Sequence, residues 1–151
     1  RGHAWGFYGF TRMYRFVKDE KYLQQARDIA QFLLNHPNMP TDKIPYWDFN
    51  APNIPNALRD ASAASIIASG LLELSRYTKG KESSNYVDAA RQIIVKLASD
   101  EYLAKPGENG GFLLKHGVGF FNANSEVDQP LTYGDYYFLE AMHRYKEWIL
   151  K

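Results

Sequence analysis

Arg1 and Trp5 are the residues whose types and spacing first point to chemistry. On a helix they lie one turn apart on the same face. The forked donors of arginine suit a carboxylate, and tryptophan offers a flat apolar face on which a sugar ring can stack. Glycines at positions 2, 6 and 9 leave room for another group to come close. The pair indicates an acidic sugar as ligand; the alternative is an exposed helix start followed by a core tryptophan.

The four histidines are scattered at positions 3, 36, 116 and 143, and no two of them have the spacing of metal ligands. We therefore predict no metal site. His116 stands in the segment LLKHGVGFF, on a predicted loop, where it either contacts a ligand or is solvated. Neither the GxSxG motif nor a phosphate-binding glycine motif occurs in the chain.

Carboxylates matter because glycoside chemistry depends on Asp and Glu. Asp48 stands among aromatic residues, and Asp60 is most simply the N-cap of a helix. Asp128 lies in the segment SEVDQPLTYGDYY, and Asp135 falls near the start of the last predicted helix, where the dipole favours a carboxylate. A structural role is favoured for each of the four, and no catalytic pair stands out.

Composition excludes several classes of protein. The 151 residues carry a net charge of +1 with both signs interleaved, which argues against nucleic acid as a partner. The absence of cysteine removes disulfides and thiolate chemistry but leaves the compartment open. No apolar run approaches the roughly 20 residues of a membrane span. The chain is long enough for one domain, which we assign to residues 1–151.

The elements that must position these residues are mostly helical. The pattern predicts buried helices at 5–18, 61–77 and 133–151, of which the first is apolar almost all round and the second nearly all small or apolar. Periodicity predicts amphipathic helices at 19–37 and 83–98. A long Pro- and Asn-rich segment at 37–60 contains Tyr46, Trp47 and Phe49, which favour an ordered, packed loop. The Gly-rich stretch 101–131 has β-prone runs at 112–114 and 119–121, and predicts a small hairpin or an ordered loop.

The sequence also repeats. Tyr22, Ala26, Arg27 and Ile29 recur as Tyr86, Ala90, Arg91 and Ile93 at a constant offset of 64 residues. Alternating buried and amphipathic helices in repeated hairpins describe a solenoid or an arc of a closed α/α toroid. Five helices leave open ends, so we expect either an array that dimerises or the C-terminal part of a larger toroid. The absence of an initiator Met before Arg1 favours the second expectation.

Three segments carry a resemblance to a known family: RGHAWGFYGFTRMYR, YWDFNAP…LRDASAASIIASGLLEL and NSEVDQPLTYGDYYFLEAMHRY. Together they resemble the C-terminal part of unsaturated glucuronyl hydrolases, glycoside hydrolase family 88. The resemblance covers nearly the whole chain. It implies an all-α fold in which α/α hairpins form part of an (α/α)6 toroid, with one long ordered loop and a small β-hairpin.

The resemblance also implies a reaction and a substrate. The substrate is the 4,5-unsaturated uronic acid that polysaccharide lyases leave at the end of glycosaminoglycan fragments. An aspartic acid protonates the C4=C5 double bond, water adds at C5, and the resulting hemiketal opens and releases the neighbouring sugar. No metal or organic cofactor takes part.

Site residues follow from the resemblance position by position. Arg1 would contact the uronate and Trp5 would pack against the sugar, while Tyr133 would reach the cavity rim. His3 stands where many members have Gln, and the loop at His116 has Gly117 where the family has Ser. The family's catalytic aspartates lie upstream of the Arg-Gly-x-x-Trp element, so we expect no catalytic residue in this chain and predict that it is inactive alone.

Two other functions remain open on the same residues. One is an unsaturated rhamnogalacturonyl hydrolase, which shares the fold and an Arg-Gly-x-x-Trp element. The other is a non-catalytic helical repeat module that binds a protein or a glycan. For location we expect the periplasm, with the cytoplasm as the alternative. The expected partners are an unsaturated uronic-acid disaccharide or oligosaccharide and either a second copy of the chain or a missing N-terminal half.

Overall fold

The computed structural model describes all 151 residues and is mostly helical. Two helical hairpins, a two-stranded antiparallel sheet and a final helix follow one another along the chain. The elements are α1 (Gly2–Val17), α2 (Glu20–Asn35), α3 (Ala61–Ser75), α4 (Gly80–Leu97), β1 (Gly117–Phe120), β2 (Ser125–Gln129) and α5 (Thr132–Trp148). This confirms the all-α prediction with its small hairpin. No helix is both long and apolar enough to cross a membrane.

The helix boundaries follow from local chemistry. Lys18 ends α1 in the left-handed conformation, at φ 58°, and Asp19 then caps α2 by accepting a hydrogen bond from the Lys21 amide at 3.0 Å. Asp60 caps α3 in the same way, with the Ser62 and Ala63 amides at 3.0 and 3.3 Å. The short connections at 18–19 and 76–79 fold each pair of helices back on itself.

Helix α3 is the centre of the molecule. All fifteen of its residues are buried, and it packs against α1, α4 and α5. The outer helices α2 and α4 each bury one stripe, as predicted from their amphipathic pattern. The 64-residue repeat relates the two buried stripes: Ala26 of α2 corresponds to Ala90 of α4, Leu33 corresponds to Leu97, and all four are buried.

Helices α1 and α5 differ from the prediction that they are buried on most sides. Phe16 of α1 is 69% exposed, and Tyr136 and Leu139 of α5 are 57% and 50% exposed. The physical reason is their place in the row of inner helices. Helix α1 packs mainly against α2 and α3, and α5 packs mainly against α3 and α4, so each keeps one face exposed. The burial of both helices in this chain is therefore one-sided.

The long segment 36–60 is ordered, as predicted. The Trp47 amide donates to the Leu58 carbonyl at 3.0 Å, the Asp60 amide donates to the Pro45 carbonyl at 2.9 Å, and Tyr46 is buried beneath. Strand β1 lies beside the start of α3, because the Ala61 amide donates to the His116 carbonyl at 3.1 Å. Of the two predicted β-prone runs, 119–121 overlaps β1, whereas 112–114 forms only a single bridge, between Leu114 and Leu103.

Candidate substrate-binding site

Arg1 joins three elements at one end of the inner helices. The Trp5 amide donates to the Arg1 carbonyl at 3.0 Å, which places the two residues one turn apart as predicted. The Arg1 guanidinium donates from Nη1 to the Val118 carbonyl and from Nη2 to the Gly119 carbonyl of β1, and lies 5.5 Å from the Tyr133 ring centroid. A guanidinium has five N–H donors, so these two contacts leave three donors unused.

Trp5 belongs to an aromatic wall that α1 and α5 form together: Trp5, Tyr8, Tyr133 and Tyr137. The Trp5 centroid lies 5.2 Å from that of Tyr137, edge to face, and 5.7 Å from that of Tyr133. Tyr8 meets Tyr137 edge to face at 4.9 Å. Trp5 is 37% exposed, so it is not a core residue and one part of its ring is open to solvent. Three of the predicted site residues, Arg1, Trp5 and Tyr133, therefore meet in one place.

The tyrosines of the wall stay protonated at neutral pH. Burial raises the pKa of Tyr133, and the charges of Asp60 and Glu126 add to the effect while the Arg1 charge opposes it. Burial likewise raises the pKa of Tyr137. The wall thus offers neutral hydroxyl groups and ring faces, and Arg1 supplies its positive charge.

A polar network supports the wall from below. Glu140 accepts hydrogen bonds from the Tyr8 hydroxyl at 3.0 Å, from the Ser69 hydroxyl at 2.5 Å and from Arg144 at 3.1 Å. Arg12 in turn donates to the Tyr8 hydroxyl at 3.0 Å. These partners hold Tyr8, and through its ring contact Tyr137, in one orientation.

Sequence reasoning missed Tyr8, Tyr137 and Glu140, although a signal was present. Two stripes carry the same spacing of i, i+4, i+7 and i+11, which places each set on one helix face. The stripes are Arg1, Trp5, Tyr8 and Arg12 on α1, and Tyr133, Tyr137, Glu140 and Arg144 on α5.

His3 lies apart from the wall, in a neighbouring cleft of about 470 Å³ that Arg1 also lines. The cleft is bounded by the start of α1, the end of α2, the loop at 45–50 and the hairpin. The His3 ring lies 5.1 Å from that of Phe32. The structure thus places Arg1 between two surfaces, the aromatic wall on one side and this cleft on the other.

His116 stands outside both surfaces. Its Nδ1 lies 2.7 Å from an oxygen of Asp128, and its ring meets Tyr102 edge to face at 5.8 Å. The side chains of His116 and Asp128 are both well exposed. His116 itself adopts φ 63°, and its carbonyl ties the hairpin to α3. The predicted ligand contact of His116 therefore stays a prediction.

The four aspartates have structural partners. Asp60 is fully buried, and one oxygen accepts from the Ser62 hydroxyl at 2.6 Å and from the Val118 amide at 3.3 Å, while the other has no partner. Asp135 accepts from the Leu113 and Leu114 amides, each at 2.8 Å. Asp48 lies in the cleft and accepts from the Asn50 amide at 2.7 Å. No group of three or more His, Asp or Glu side chains is arranged to hold a metal ion.

Alternating inner and outer helices, with an arginine and an aromatic wall at one end of the inner row, define part of an α/α toroid with a surface suited to a ligand. No model of a known protein family matches the chain. A curated unsaturated glucuronyl hydrolase from Formosa agariphila is 50% identical over 151 residues, which are 100% of this chain and 37% of that protein. An unsaturated chondroitin disaccharide hydrolase from Streptococcus pyogenes is 33% identical over 150 residues, 98% of this chain and 37% of that protein.

Solved structures agree with these relatives. The crystal structure of an unsaturated glucuronyl hydrolase specific for heparin matches with a TM-score of 0.94 and 54% identity, and covers 97% of this chain and 39% of that chain. The chain belongs to the unsaturated glucuronyl hydrolase family. It spans less than two fifths of the length of the curated relatives that it matches.

Proposed function

We propose that the chain is part of a glycoside hydrolase that acts on unsaturated uronyl oligosaccharides, and that it supplies part of the substrate-binding wall. The observation that carries the proposal is the meeting of Arg1, Trp5 and Tyr133 at one end of the inner helices. The names of the relatives support the same substrate class, since one is an unsaturated glucuronyl hydrolase and the other an unsaturated chondroitin disaccharide hydrolase.

The geometry supports a division of roles within the wall. The three free N–H donors of Arg1 would bind the uronate carboxylate, which gains from a charge-assisted hydrogen bond. The exposed part of Trp5 would pack against the sugar ring. The neutral hydroxyl groups of Tyr133 and Tyr137 would take ring hydroxyls, because the pKa of each phenol is raised. The wall thereby holds the terminal sugar in one orientation.

The proposed reaction is hydration of the C4=C5 double bond. A general acid protonates C4, water adds at C5, and the hemiketal at C5 opens and releases the neighbouring sugar. The resemblance to unsaturated glucuronyl hydrolases implies that the catalytic aspartates lie upstream of the Arg-Gly-x-x-Trp element. On that ground we assign the acid to residues outside this chain, and assign binding of the unsaturated sugar to the chain.

A binding experiment tests the proposal. The isolated chain is titrated with an unsaturated chondroitin disaccharide and followed by ligand-observed NMR. Trp5→Ala should weaken binding by about tenfold, because about 1.4 kcal/mol of apolar contact is lost. Phe16→Ala is the matched control: it removes another exposed aromatic ring from α1, outside the wall. Equal binding by Trp5→Ala and the parent chain would refute the role of the wall.

The same sample tests where the acid lies. The conjugated double bond absorbs in the ultraviolet, and hydration destroys it. We expect no loss of absorbance with the isolated chain. A loss beyond the buffer control would show that a general acid lies within these residues, and substitution of Asp48, Asp60, Asp128 and Asp135 would then identify it. An unsaturated rhamnogalacturonan disaccharide in the same binding assay separates the two substrate classes.

A further inference from the structure

Asp60 is a buried carboxylate for which the proposed function has no use. It is fully buried at the start of α3, and burial of a charged group is costly unless the group is paired or hydrogen-bonded. Its Oδ1 accepts hydrogen bonds from the Ser62 amide and hydroxyl, from the Ala63 amide and from the Val118 amide, while Oδ2 has no partner. Capping of α3 explains only the bonds from Ser62 and Ala63, and an uncharged serine would cap the helix as well. The bond from Val118 therefore needs another explanation.

Val118 connects Asp60 to Arg1. The Val118 amide donates to Oδ1 of Asp60 at 3.3 Å, and the carbonyl of the same residue accepts from Nη1 of Arg1. The next carbonyl along β1, that of Gly119, accepts from Nη2. These two carbonyls form a clamp that fixes the Arg1 guanidinium, so the position of the guanidinium depends on what holds β1.

Strand β1 is held by the start of α3 as well as by β2. The regular register between the two strands is lost directly after Gly117, so the ladder by itself does not fix the clamp. Asp60 and Ala61 anchor β1 on both sides of this irregularity, since the Ala61 amide donates to the His116 carbonyl at 3.1 Å. Between the anchors, a Cβ added at Gly117 would lie 2.7 Å from the Gln129 carbonyl oxygen, which shows how closely the strands pack. The start of α3 therefore contributes directly to the position of the clamp.

The charge of Asp60 also reaches the site. Burial is the largest cause that raises the pKa of Tyr133, and the Asp60 charge adds to that rise, so the carboxylate acts on a residue of the wall. By its sign, the same charge disfavours an anion beside Arg1. A purely electrostatic role of Asp60 would therefore make anions bind more tightly to a variant that loses the charge and keeps the hydrogen bonds.

We propose that Asp60 is a positioning residue for Arg1. Through the Val118 amide it holds the two carbonyls of the clamp, and the clamp aims the remaining N–H donors of Arg1 at the uronate carboxylate. Asp60 itself touches no ligand, because it is fully buried. This inference rests on the proposed role of Arg1 in binding the uronate.

The test measures the affinity of the chain for two ligands by ligand-observed NMR: the methyl glycoside of the unsaturated uronic acid, and the uncharged methyl ester of that glycoside. The parent chain should bind the acid about tenfold more tightly than the ester, because a carboxylate accepts charge-assisted hydrogen bonds from Arg1. Asp60→Ser keeps a cap on α3, but its shorter side chain does not reach Val118, and the preference should fall to about twofold or less. Asp60→Asn keeps the acceptor oxygen and should retain the preference.

Two controls separate positioning from stability. Asp19→Ser makes the same change at the N-cap of α2, at the opposite end of α1 from Arg1, and should leave the preference at about tenfold. In a chain that already carries Arg1→Ala, Asp60→Ser should cause no further loss of affinity for the acid, because its effect passes through Arg1. A purely structural role of Asp60 would weaken binding of the acid and of the ester alike.

The outcomes distinguish the two proposals. A parent chain with no preference for the acid would refute the proposed role of Arg1. A tenfold preference that persists in a folded Asp60→Ser variant would overturn the role of Asp60 alone, and so would tighter binding of the acid by both Asp60 variants. If Asp60→Ser loses its circular dichroism signal, Val118→Pro decides, because it removes the N–H of the same hydrogen bond and leaves the cap of α3 in place. The same reduction is then expected, and an unchanged preference would overturn the inference.

Discussion

Glu73 is the charge whose removal should cost the most stability. Its side chain is 1% exposed, and it lies 2.9 Å from the Arg144 guanidinium and 3.2 Å from Nε of Arg15. No donor is aligned for a hydrogen bond to Oε2 of Glu73, the oxygen that faces Arg144, so this contact is an ion pair only. The Tyr77 hydroxyl donates to the other oxygen at 3.2 Å. Glu73→Gln keeps the shape of the side chain and removes its charge.

The expected loss of stability in Glu73→Gln depends on the partners that Arg144 keeps. Loss of one partner of a buried pair costs about 3–5 kcal/mol when the other charge is left alone. Here Arg144 keeps Glu140 at 3.1 Å and the Ser69 carbonyl at 2.8 Å. We therefore expect a smaller loss, of about 2–3 kcal/mol, in the free energy of unfolding. For a chain of this size that is a fall in Tm of about 5–10 °C.

The assay is thermal and urea unfolding followed by circular dichroism, with Glu147→Gln as the matched control. Glu147 pairs with Lys151 at 2.5 Å near the end of α5, where both side chains are partly exposed, so its loss should cost less than about 1 kcal/mol. The pKa of Tyr77, which burial and the Glu73 charge raise, should also fall in Glu73→Gln. Equal Tm values for the two variants would refute the reasoning about the buried charge.

Three further predictions concern single contacts. Gly70→Ala would place a Cβ 2.6 Å from a ring carbon of the buried Phe7, and should cost about 1–3 kcal/mol in urea unfolding; a neutral result would contradict the close packing. Asp60→Ala removes the cap of α3 and its link to the hairpin, and should lower the free energy of unfolding by about 2 kcal/mol. An unchanged free energy of unfolding would show that the cap does not stabilise the fold. The hydrogen bond from Arg27 lowers the pKa of Glu82, so this carboxylate stabilises the fold above its ordinary pKa of 4.5 and less as the pH falls. The stability difference between the parent chain and Glu82→Gln, at most about 1 kcal/mol, should therefore shrink from pH 6 to pH 3, and a constant difference would be evidence against the pair.

The sequence alone predicted the helices and their order, because helical periodicity and capping are local properties. Asp60 was identified as an N-cap from its position, and the 64-residue repeat was found from matching residues. The stripe that includes Ala26 and Leu33 follows from the 3.6-residue turn, whatever the helix packs against. The one-turn relation of Arg1 and Trp5 is local in the same sense.

Tertiary structure decided which surfaces these helices build. Arg1 meets the carbonyls of Val118 and Gly119, more than a hundred residues away, because the connections at 36–60 and 98–131 bring the hairpin back to the start of α1. Tyr8 meets Glu140 over a similar distance in the chain. The extent to which Phe16 is exposed also depended on which helices lie beside α1.

One physical reason explains why the sequence predicted the helices but not the surfaces that they build. Helix formation and capping are set by neighbours within about four residues, and those neighbours are visible in the sequence. The aromatic wall and the cleft depend on where irregular loops carry the backbone, and loop paths follow from many weak contacts between distant residues. The amino-acid sequence by itself therefore determined the helices and the residue types suited to an acidic sugar. Only the packed chain decided that Arg1 stands between two surfaces, with the aromatic wall on one side and the cleft on the other.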